Sequence, residues 1–312
     1  MDLTLSDLQS SILTALDSLT KGYSAPDLHD APLSTQSETL DRELRDGGFL
    51  DVMSDPELGA VTAAIIVERI SRLPVASETG ASMFFGGALP AQSSSAVAVM
   101  SGARAPFPIR YLAPGTRIVV LEADRTSYFV AQPDQIRAEP ESLYAYPVAT
   151  LLHMPDDRAT LEIRPEEAQR RWRVALAAEI AGLLRAALDS TISHVSEREQ
   201  FGRKIATFQA VRHRLAQAHV NTNSTYWLAM KAAATETPED AAMALWHAQE
   251  SARNAVYDFH QFLGGMGMTL EHPLHLWTYR LKALISELGG RAGNAAAAAD
   301  ALWPREMPTA RR

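Results

Sequence analysis

The sequence predicts a mainly α-helical protein with a small β domain between two helical regions. Apolar residues recur at helical spacing through much of the first 73 residues. Short β-rich runs broken by prolines fill residues 106–163, and long proline-poor helical stretches follow. We therefore expect an N-terminal helical domain at 1–105, a middle β-sheet domain at 106–163 and a C-terminal four-helix bundle within 164–312.

Amphipathic spacing predicts three helices in the N-terminal domain, over residues 3–19, Glu38–Asp46 and Glu57–Arg72. A glycine pair ends the second helix and a proline closely follows the third. From about residue 75 to 105 the composition shifts to glycine, serine and alanine. One short apolar helix is predicted there, at Ser94–Met100.

The middle region contains five short runs of β-favouring residues. They are Ile109–Leu112, Arg117–Glu122, Tyr128–Ala131, Val148–Leu152 and Thr160–Ile163. Prolines between the runs indicate tight turns. Because the region is short for an independent sheet domain, we expect it to lean on a neighbour.

The C-terminal region is expected to be helical throughout. The predicted helices are Glu166–Gln200, Phe208–Ala234, a helix from the Thr237 cap to about Leu263, Pro273–Leu288, and a last turn or two at Ala295–Ala301. Four long helices with short connections favour an antiparallel bundle.

Composition excludes several classes of function. The chain of 312 residues carries 29 basic and 37 acidic residues, a net charge of −8, which argues against nucleic acid or an anionic membrane as the main partner. It has no cysteine, so disulfides and thiolate chemistry are excluded. Without a long apolar run or a signal-peptide pattern, we expect a cytoplasmic protein.

Two segments at predicted helix junctions have the composition of a dinucleotide site, Ser196–Gly202 and Gln261–Gly267. Arg198 offers a charged fork of donors suited to phosphate oxygens, and Phe201 offers an apolar face for a purine. The glycines of the second segment would let backbone approach a ligand closely. Ordinary helix stops and a core phenylalanine would also account for these residues.

The pair of segments resembles the acyl-CoA dehydrogenase family, in which R-x-Q-F-G…F-Q is followed by Q-x-x-G-G-x-G. The resemblance runs from Arg171 to the C-terminus. In that family both segments hold the adenosine and pyrophosphate end of FAD. The resemblance therefore implies FAD as cofactor, with these contact residues: Arg198, Gln200, Phe201, Ile205, Phe208, Gln209, Gln261, Gly264 and Gly265.

The family's catalytic glutamate occupies one of two positions, and this sequence has glutamate at neither. The position after the G-G-x-G segment falls on Leu288, and the position on the first bundle helix falls on Trp172, with the expected Arg173 after it. We therefore expect no catalytic base in this chain.

Four nearby acids are weaker candidates for that base. Glu287 is one residue from the first position, and Glu179 lies two turns from Trp172 on the same helix face. A paired or surface acid is the alternative interpretation of Glu179. Glu166 and Glu167 are expected to be first-turn acids favoured by the helix dipole.

The family's middle-domain signatures, a T-E-P-x-A-G-S-D-type loop and a W-I-T-type strand, are missing. Ser77–Ser82 is only a superficial echo of the first. The chain resembles short, degenerate members that pair with full-length ones in α2β2 assemblies of bacterial steroid and side-chain degradation. In family tetramers each FAD straddles two subunits, so the resemblance implies a partner-dependent subunit that supplies the adenosine half of the site.

Two other functions stay open from the sequence. One is a self-sufficient, homo-oligomeric acyl-CoA dehydrogenase with a relocated base. The other is a scaffold that has lost flavin. His272 and His275 have ligand-like spacing, but because no third ligand is evident, no metal site is expected.

Overall fold

The computed structural model describes residues 4–23, 36–90, 96–102, 104–140, 142 and 144–303. The expected mainly helical fold with a small β region is confirmed. None of the helices in those ranges combines the length and the apolar composition that a bilayer crossing requires.

Among the residues described before the β region, the α-helices are α1 (Asp7–Thr20), α2 (Glu38–Asp46), α3 (Gly59–Ser71) and α4 (Gly80–Phe85). The first three are the predicted ones. At the start of α1 the Ser6 side chain accepts from the Gln9 backbone N–H while the Ser6 N–H donates to the Gln9 side chain, a reciprocal cap. The sequence analysis missed α4, whose six residues are mostly buried.

The strands found in the described part of the next region are β1 (Val97–Ser101), β2 (Phe107–Arg110), β3 (Arg117–Leu121), β4 (Thr126–Val130), β5 (Ile136–Ala138), β6 (Val148–Leu151) and β7 (Ala159–Thr160). They form two sheets, ordered β1-β3-β4-β7 and β2-β6-β5. Three of the five predicted runs overlap most of a strand, Ile109–Leu112 overlaps half of β2, and only the start of the Thr160–Ile163 run is paired.

The predicted helix at Ser94–Met100 is wrong where the structure describes it, because Val97–Ser101 is strand β1. It pairs in parallel with β3, Val97 lying opposite Arg117. A short apolar run has no clear period, so its β-branched residues and the neighbouring strand decide the conformation.

The C-terminal region contains α5 (Pro165–Glu197), the short strands β8 (Glu199–Gln200) and β9 (Arg203–Lys204), α6 (Gln209–Thr235), α7 (Pro238–Leu263), α8 (Leu274–Leu284) and α9 (Gly290–Leu302). The four predicted bundle helices are confirmed as α5 to α8. At 13 residues, α9 is longer than the predicted last turn or two. As predicted, Thr237 caps α7, its hydroxyl accepting from the Asp240 N–H.

Close contacts tie the bundle to the N-terminal helices and so position the site. A Cβ at Gly182 of α5 would lie 2.1 Å from the Glu68 carbonyl oxygen of α3, so glycine is required for this approach. From α8, the buried Arg280 donates to the carbonyl oxygens of Leu73 and Val75 beyond α3. The indole of Trp277 donates to the carbonyl of Arg72 in the same segment.

Candidate functional site

The first candidate segment forms a tight hairpin between α5 and α6. Strands β8 and β9 pair Glu199 with Lys204, and the turn between them carries Phe201 at φ 55° and Gly202 at φ 76°. Phe201 is 90% exposed, and its ring meets Phe208 edge-on with centroids 6.1 Å apart. Because the ring is exposed, a ligand or partner could cover it, and burying a phenylalanine side chain contributes about 1.5–3 kcal/mol to binding.

The second segment forms the turn that ends α7, and its glycines divide into two roles. A Cβ at Gly267 would lie 2.7 Å from the His260 carbonyl oxygen, so this glycine serves local packing. Gly264 has φ 58°. A Cβ at Gly265 would meet no atom within 4 Å, and its backbone φ is ordinary, so local packing does not require glycine there. Its missing side chain keeps the backbone open to the space in front of it.

The two segments meet at one cleft of about 810 Å³. It is lined by eight of the nine predicted cofactor residues, namely Arg198, Gln200, Phe201, Ile205, Phe208, Gln261, Gly264 and Gly265. Gln209 does not line it; its amide lies 3.5 Å from the His213 ring instead. The volume lies in the range typical of cofactor pockets.

The polar groups that face this cleft are largely unengaged. Within the described part of the chain, the Arg198 guanidinium forms no hydrogen bond or ion pair, and neither do the side-chain amides of Gln200 and Gln261. A free guanidinium and two free amides beside an exposed aromatic ring match the needs of a pyrophosphate joined to a purine nucleoside.

Sequence reasoning missed three ionisable residues that also line the cleft, His194, Arg214 and Glu271. Arg214 pairs with Asp258 of α7, and its guanidinium lies 5.0 Å from the centroid of the Phe262 ring. His194 could have been found, because it lies one helical turn before Arg198 on α5.

The histidines next to the cleft are held in their neutral form. The rings of His194 and His272 meet edge-on, with centroids 5.4 Å apart. Burial, with the neighbouring His194 and His275 adding to it, lowers the pKa of His272 to about 4. His275 Nδ1 lies 2.9 Å from the His272 carbonyl oxygen. The described residues include no group of three or more His, Cys, Asp or Glu side chains arranged to hold a metal ion.

A second pocket lies where the β region meets the bundle, and its volume is only about 50 Å³. Trp172 and Glu287, which occupy or adjoin the family's two glutamate positions, both line it. Ser77–Ala81 also line it, so most of the segment that weakly resembles the family's middle-domain loop reaches this pocket. Trp172 and Glu287 are 115 residues apart in the chain, yet they line the same pocket.

Arg110 of β2 lies between the two candidate acids in this pocket. Its Nη1 is 3.0 Å from Glu179 Oε1, and its Nε is 3.5 Å from Glu287 Oε1. The guanidinium carbon lies 4.7 Å from the centroid of the Tyr146 ring and 6.0 Å from that of Trp172. The Tyr146 hydroxyl donates to Glu179 Oε1 at 2.6 Å. Glu179 is therefore a paired acid, as its alternative interpretation held.

Burial and neighbouring charges act in opposite directions on the pKa values of Arg110 and Glu287. Burial acts to lower the pKa of Arg110, but Glu179, with Tyr146 and Glu287 adding to it, raises that pKa well above its ordinary value. Burial raises the pKa of Glu287, and the charge of Arg110 opposes the rise. A permanently charged guanidinium therefore faces two carboxyl groups, one of them shifted toward its neutral form.

Glu78 is a further buried acid at the edge of this pocket. Its Oε1 accepts from the Ala81 N–H at 2.8 Å, and its Oε2 accepts from the Ser82 hydroxyl, so it caps the start of α4. Burial raises the pKa of Glu78 to about 7, against the opposing effect of these hydrogen bonds. The other two weak candidates, Glu166 and Glu167, lie in the first turn of α5 as expected, and Glu167 pairs with Arg171 at 2.6 Å.

Comparison with known proteins agrees with this geometry. Residues 167–291 match the family described as "Acyl-CoA dehydrogenase, C-terminal domain". The C-terminal region of this chain is thus similar to the C-terminal domain of acyl-CoA dehydrogenases. Acyl-CoA dehydrogenase FadE34 of Mycobacterium tuberculosis is 32% identical over 188 residues, which are 57% of this chain and 26% of that protein. The chain thus matches only about a quarter of the length of that relative.

Solved acyl-CoA dehydrogenases have the same fold over nearly the whole chain. The ChsE4-ChsE5 complex from Mycobacterium tuberculosis superposes with a TM-score of 0.78 at 18% identity, covering 98% of this chain and 100% of that one. The Tcur3481-Tcur3483 steroid ACAD also gives 0.78, at 21% identity, covering 96% of this chain and 98% of that one. At these identities the likeness establishes the fold alone.

Proposed function

We propose that this acyl-CoA dehydrogenase family member is a subunit that supplies the adenosine and pyrophosphate half of a FAD site shared with a catalytic partner subunit. The observation that carries the proposal is the cleft at α5, α6 and α7. Two segments sixty residues apart converge there, with Arg198, Gln200 and Gln261 facing the opening unpaired.

The residues of the cleft fit the cofactor end that the proposal gives them. Arg198 would neutralise part of the pyrophosphate charge, and Phe201 and Phe208 would offer the adenine an apolar face. The backbone at Gly264 and Gly265 would approach the ribose and phosphates without a side chain in the way. Bound FAD would supply the hydride acceptor for α,β-dehydrogenation of an acyl-CoA.

The partner in this proposal is a full-length acyl-CoA dehydrogenase subunit in an α2β2 assembly. Two of the structures that share this fold are named as complexes of two different proteins, ChsE4 with ChsE5 and Tcur3481 with Tcur3483. Phe201 at the mouth of the cleft is 90% exposed, which leaves its ring available for contact with a partner subunit.

We propose an acyl-CoA thioester as the substrate of the assembly, bound mainly by the partner. A steroid side-chain thioester is the narrower proposal. Its support is the printed description of one fold neighbour as a steroid ACAD. The residues of this chain do not themselves select an acyl group, since the pocket lined by Trp172 and Glu287 has a volume of only about 50 Å³.

A specific observation favours a second candidate, a self-sufficient enzyme with a relocated base. Glu287 lies in the turn before α9 and reaches the same pocket as Trp172. Its raised pKa is a property of general bases in this chemistry. Its pairing with Arg110 weighs against it, because a carboxylate that is bound to a guanidinium is a weak base.

Co-expression tests the shared site. The gene for this chain is expressed alone and together with a neighbouring gene for a full-length acyl-CoA dehydrogenase. Alone, the chain is expected to be poorly soluble or colourless. The complex is expected to be yellow, with about one FAD per heterodimer by released-flavin absorbance. A homo-oligomer of this chain with stoichiometric FAD contradicts the proposal and favours the second candidate.

Ligand competition tests which half of FAD the cleft takes. In the apo-complex, ADP is expected to compete with FAD at the cleft, and FMN is expected to compete only through the partner's ring site. Arg198→Ala is expected to weaken ADP competition and leave FMN competition unchanged. Loss of FMN competition alone would place the isoalloxazine end at this chain, against the proposal. Absence of any flavin in the complex would favour the scaffold interpretation.

A further inference from the structure

The pocket where the two family base positions converge is filled by a side chain of the protein itself. Trp172 of α5 and Glu287 before α9 mark the place where an acyl thioester and flavin ring would meet. Arg110 enters this place from β2, with its guanidinium between the two acids. We infer that Arg110 is an internal plug, a side chain that fills and closes this chain's own reaction pocket. The inference rests on the proposed function only for the identity of that pocket.

The remaining volume supports closure. A pocket of about 50 Å³ holds at most a few water molecules. Ligand pockets for cofactors and drug-sized molecules measure about 300–1,000 Å³. The cleft on the adenosine side, at about 810 Å³, lies within that range. Within the described part of the chain, the adenosine-side cleft is therefore large enough for part of a dinucleotide, whereas the reaction pocket is too small for its ligands.

Contacts with Glu179, Glu287 and Tyr146 hold the Arg110 side chain in place. Glu179 binds Nη1 from α5, and Glu287 lies at Nε from the turn before α9. The face of Tyr146 covers the guanidinium, and the Tyr146 hydroxyl also holds Glu179. The Arg110 side chain is only 13% exposed, so leaving the pocket would strip two acids of their cation.

The plug differs from a pocket that has simply lost its catalytic residues. Closure by one long side chain predicts that a single truncation reopens the space, because Glu179, Glu287 and Trp172 already line it. A pocket closed by general collapse would stay shut after the same change, since the surrounding β2 and α5 backbone would still fill it.

The absence of cysteine from the chain allows a direct accessibility measurement. Val97→Cys places one thiol at a fully buried position that lines the pocket. Its modification by methyl methanethiosulfonate is followed by the mass of this chain, alone or in its complex. With Arg110 present the thiol is expected to react slowly, and Arg110→Ala is expected to accelerate the reaction by at least about tenfold, since thiol reactivity follows access. Arg110→Met, which fills similar space without the charge, is expected to keep it slow.

Arg158→Ala in the same Val97→Cys background is the matched control. The Arg158 side chain is 9% exposed and pairs with a glutamate, Glu122, at 3.0 Å, and Arg158 does not line the pocket. Equal acceleration by Arg158→Ala, or no acceleration by a folded Arg110→Ala, overturns the inference. If Arg110→Ala does not fold, Arg110→Gln replaces it, since its shorter side chain keeps a donor for Glu179. The measurement needs no flavin, so its failure and that of the proposed function are distinguishable.

Discussion

Arg110 and Glu179 lie 69 positions apart in the chain and form an ion pair of 3.0 Å between β2 and α5. Both side chains are largely buried, with 13% and 12% of their surface exposed. The pair therefore couples the small β region to α5, the longest helix that the structure describes, at the small pocket that Trp172 and Glu287 also line.

Breaking this pair should destabilise the fold strongly. Arg110→Ala leaves Glu179 buried without its cation, and we expect a loss of about 3–5 kcal/mol in the free energy of unfolding. Arg137→Ala is the control, because the Arg137 side chain is 64% exposed beside Glu139, and an exposed pair contributes about 0–1 kcal/mol. Urea denaturation followed by circular dichroism measures both. Equal losses in the two variants would contradict the burial argument.

Sequence patterns alone could not reveal Arg110. In the sequence, Arg110 is an arginine within the short β-rich run Ile109–Leu112, and a charged residue in such a run is typical of a solvated strand face. Its position depends on how β2 packs on α5, a contact between regions with no shared local pattern. The same applies to Glu179, whose helical face was predictable but whose partner was not. Long-range ion pairs become visible only when the tertiary fold sets the two side chains side by side.

The affinity of the cleft for flavin should depend on Arg198. If it pairs with the pyrophosphate, Arg198→Ala should reduce FAD binding in the assembled complex by roughly 2–4 kcal/mol, because a charged ligand group loses its partner. Arg212→Ala is the matched control, an exposed arginine near the start of α6 that does not line the cleft. Titration calorimetry with FAD measures the change. Unchanged affinity with the assembly intact would make Arg198 an ordinary surface residue.

The contact between α3 and α5 should not tolerate a side chain at Gly182. A Cβ there would lie 2.1 Å from the Glu68 carbonyl oxygen, so the two helices must separate. We expect Gly182→Ala to cost at least about 1–3 kcal/mol, the usual range for overpacking. Gly86→Ala is the control, since a Cβ at Gly86 meets no atom within 4 Å and its φ is −54°. A Gly182 variant as stable as the Gly86 variant would refute the close approach.

Glu78 should make stability depend on pH. Burial raises its pKa to about 7 from an ordinary 4.5, so the folded protein binds this proton more tightly than the unfolded chain does. Its contribution is therefore full below pH 4.5 and falls as the pH rises to about 7, by about 3 kcal/mol at 1.36 kcal/mol per pH unit.

Glu78→Gln removes the titrating group, so its unfolding free energy should fall less than that of the wild type over the same pH window. Glu57→Gln, which removes one exposed glutamate, corrects for the change in net charge. Thermal or urea unfolding at pH 5, 6 and 7 provides the comparison. Parallel curves for wild type and Glu78→Gln would show that Glu78 is charged throughout this range.

Most of the cleft was predictable because its chemistry is local. Arg198 and Phe201 lie within four residues of each other, and the glycine segment follows the end of a helix whose cap signals are clear. Gln209 does not line the cleft, because it is the first residue of α6 and its amide points toward His213. For the small pocket, spacing in the sequence pointed to Trp172 and Glu287. It did not reveal that the Arg110 side chain lies between them.

The last prediction concerns proton abstraction. Trp172 and Leu288 stand where the sequence resemblance implies the family's base, and neither side chain accepts a proton. Glu287 and Glu179 both contact the Arg110 guanidinium in a buried cluster rather than a substrate-sized space. Glu287→Gln and Glu179→Gln should each change the turnover of the assembled complex by less than about tenfold, whereas removal of a true general base costs about 10²–10⁴-fold. Steady-state kinetics with flavin content and assembly verified decides between these values. A loss of the larger size from Glu287→Gln alone would move the reaction into this chain, because a merely structural role shared through Arg110 would affect both variants.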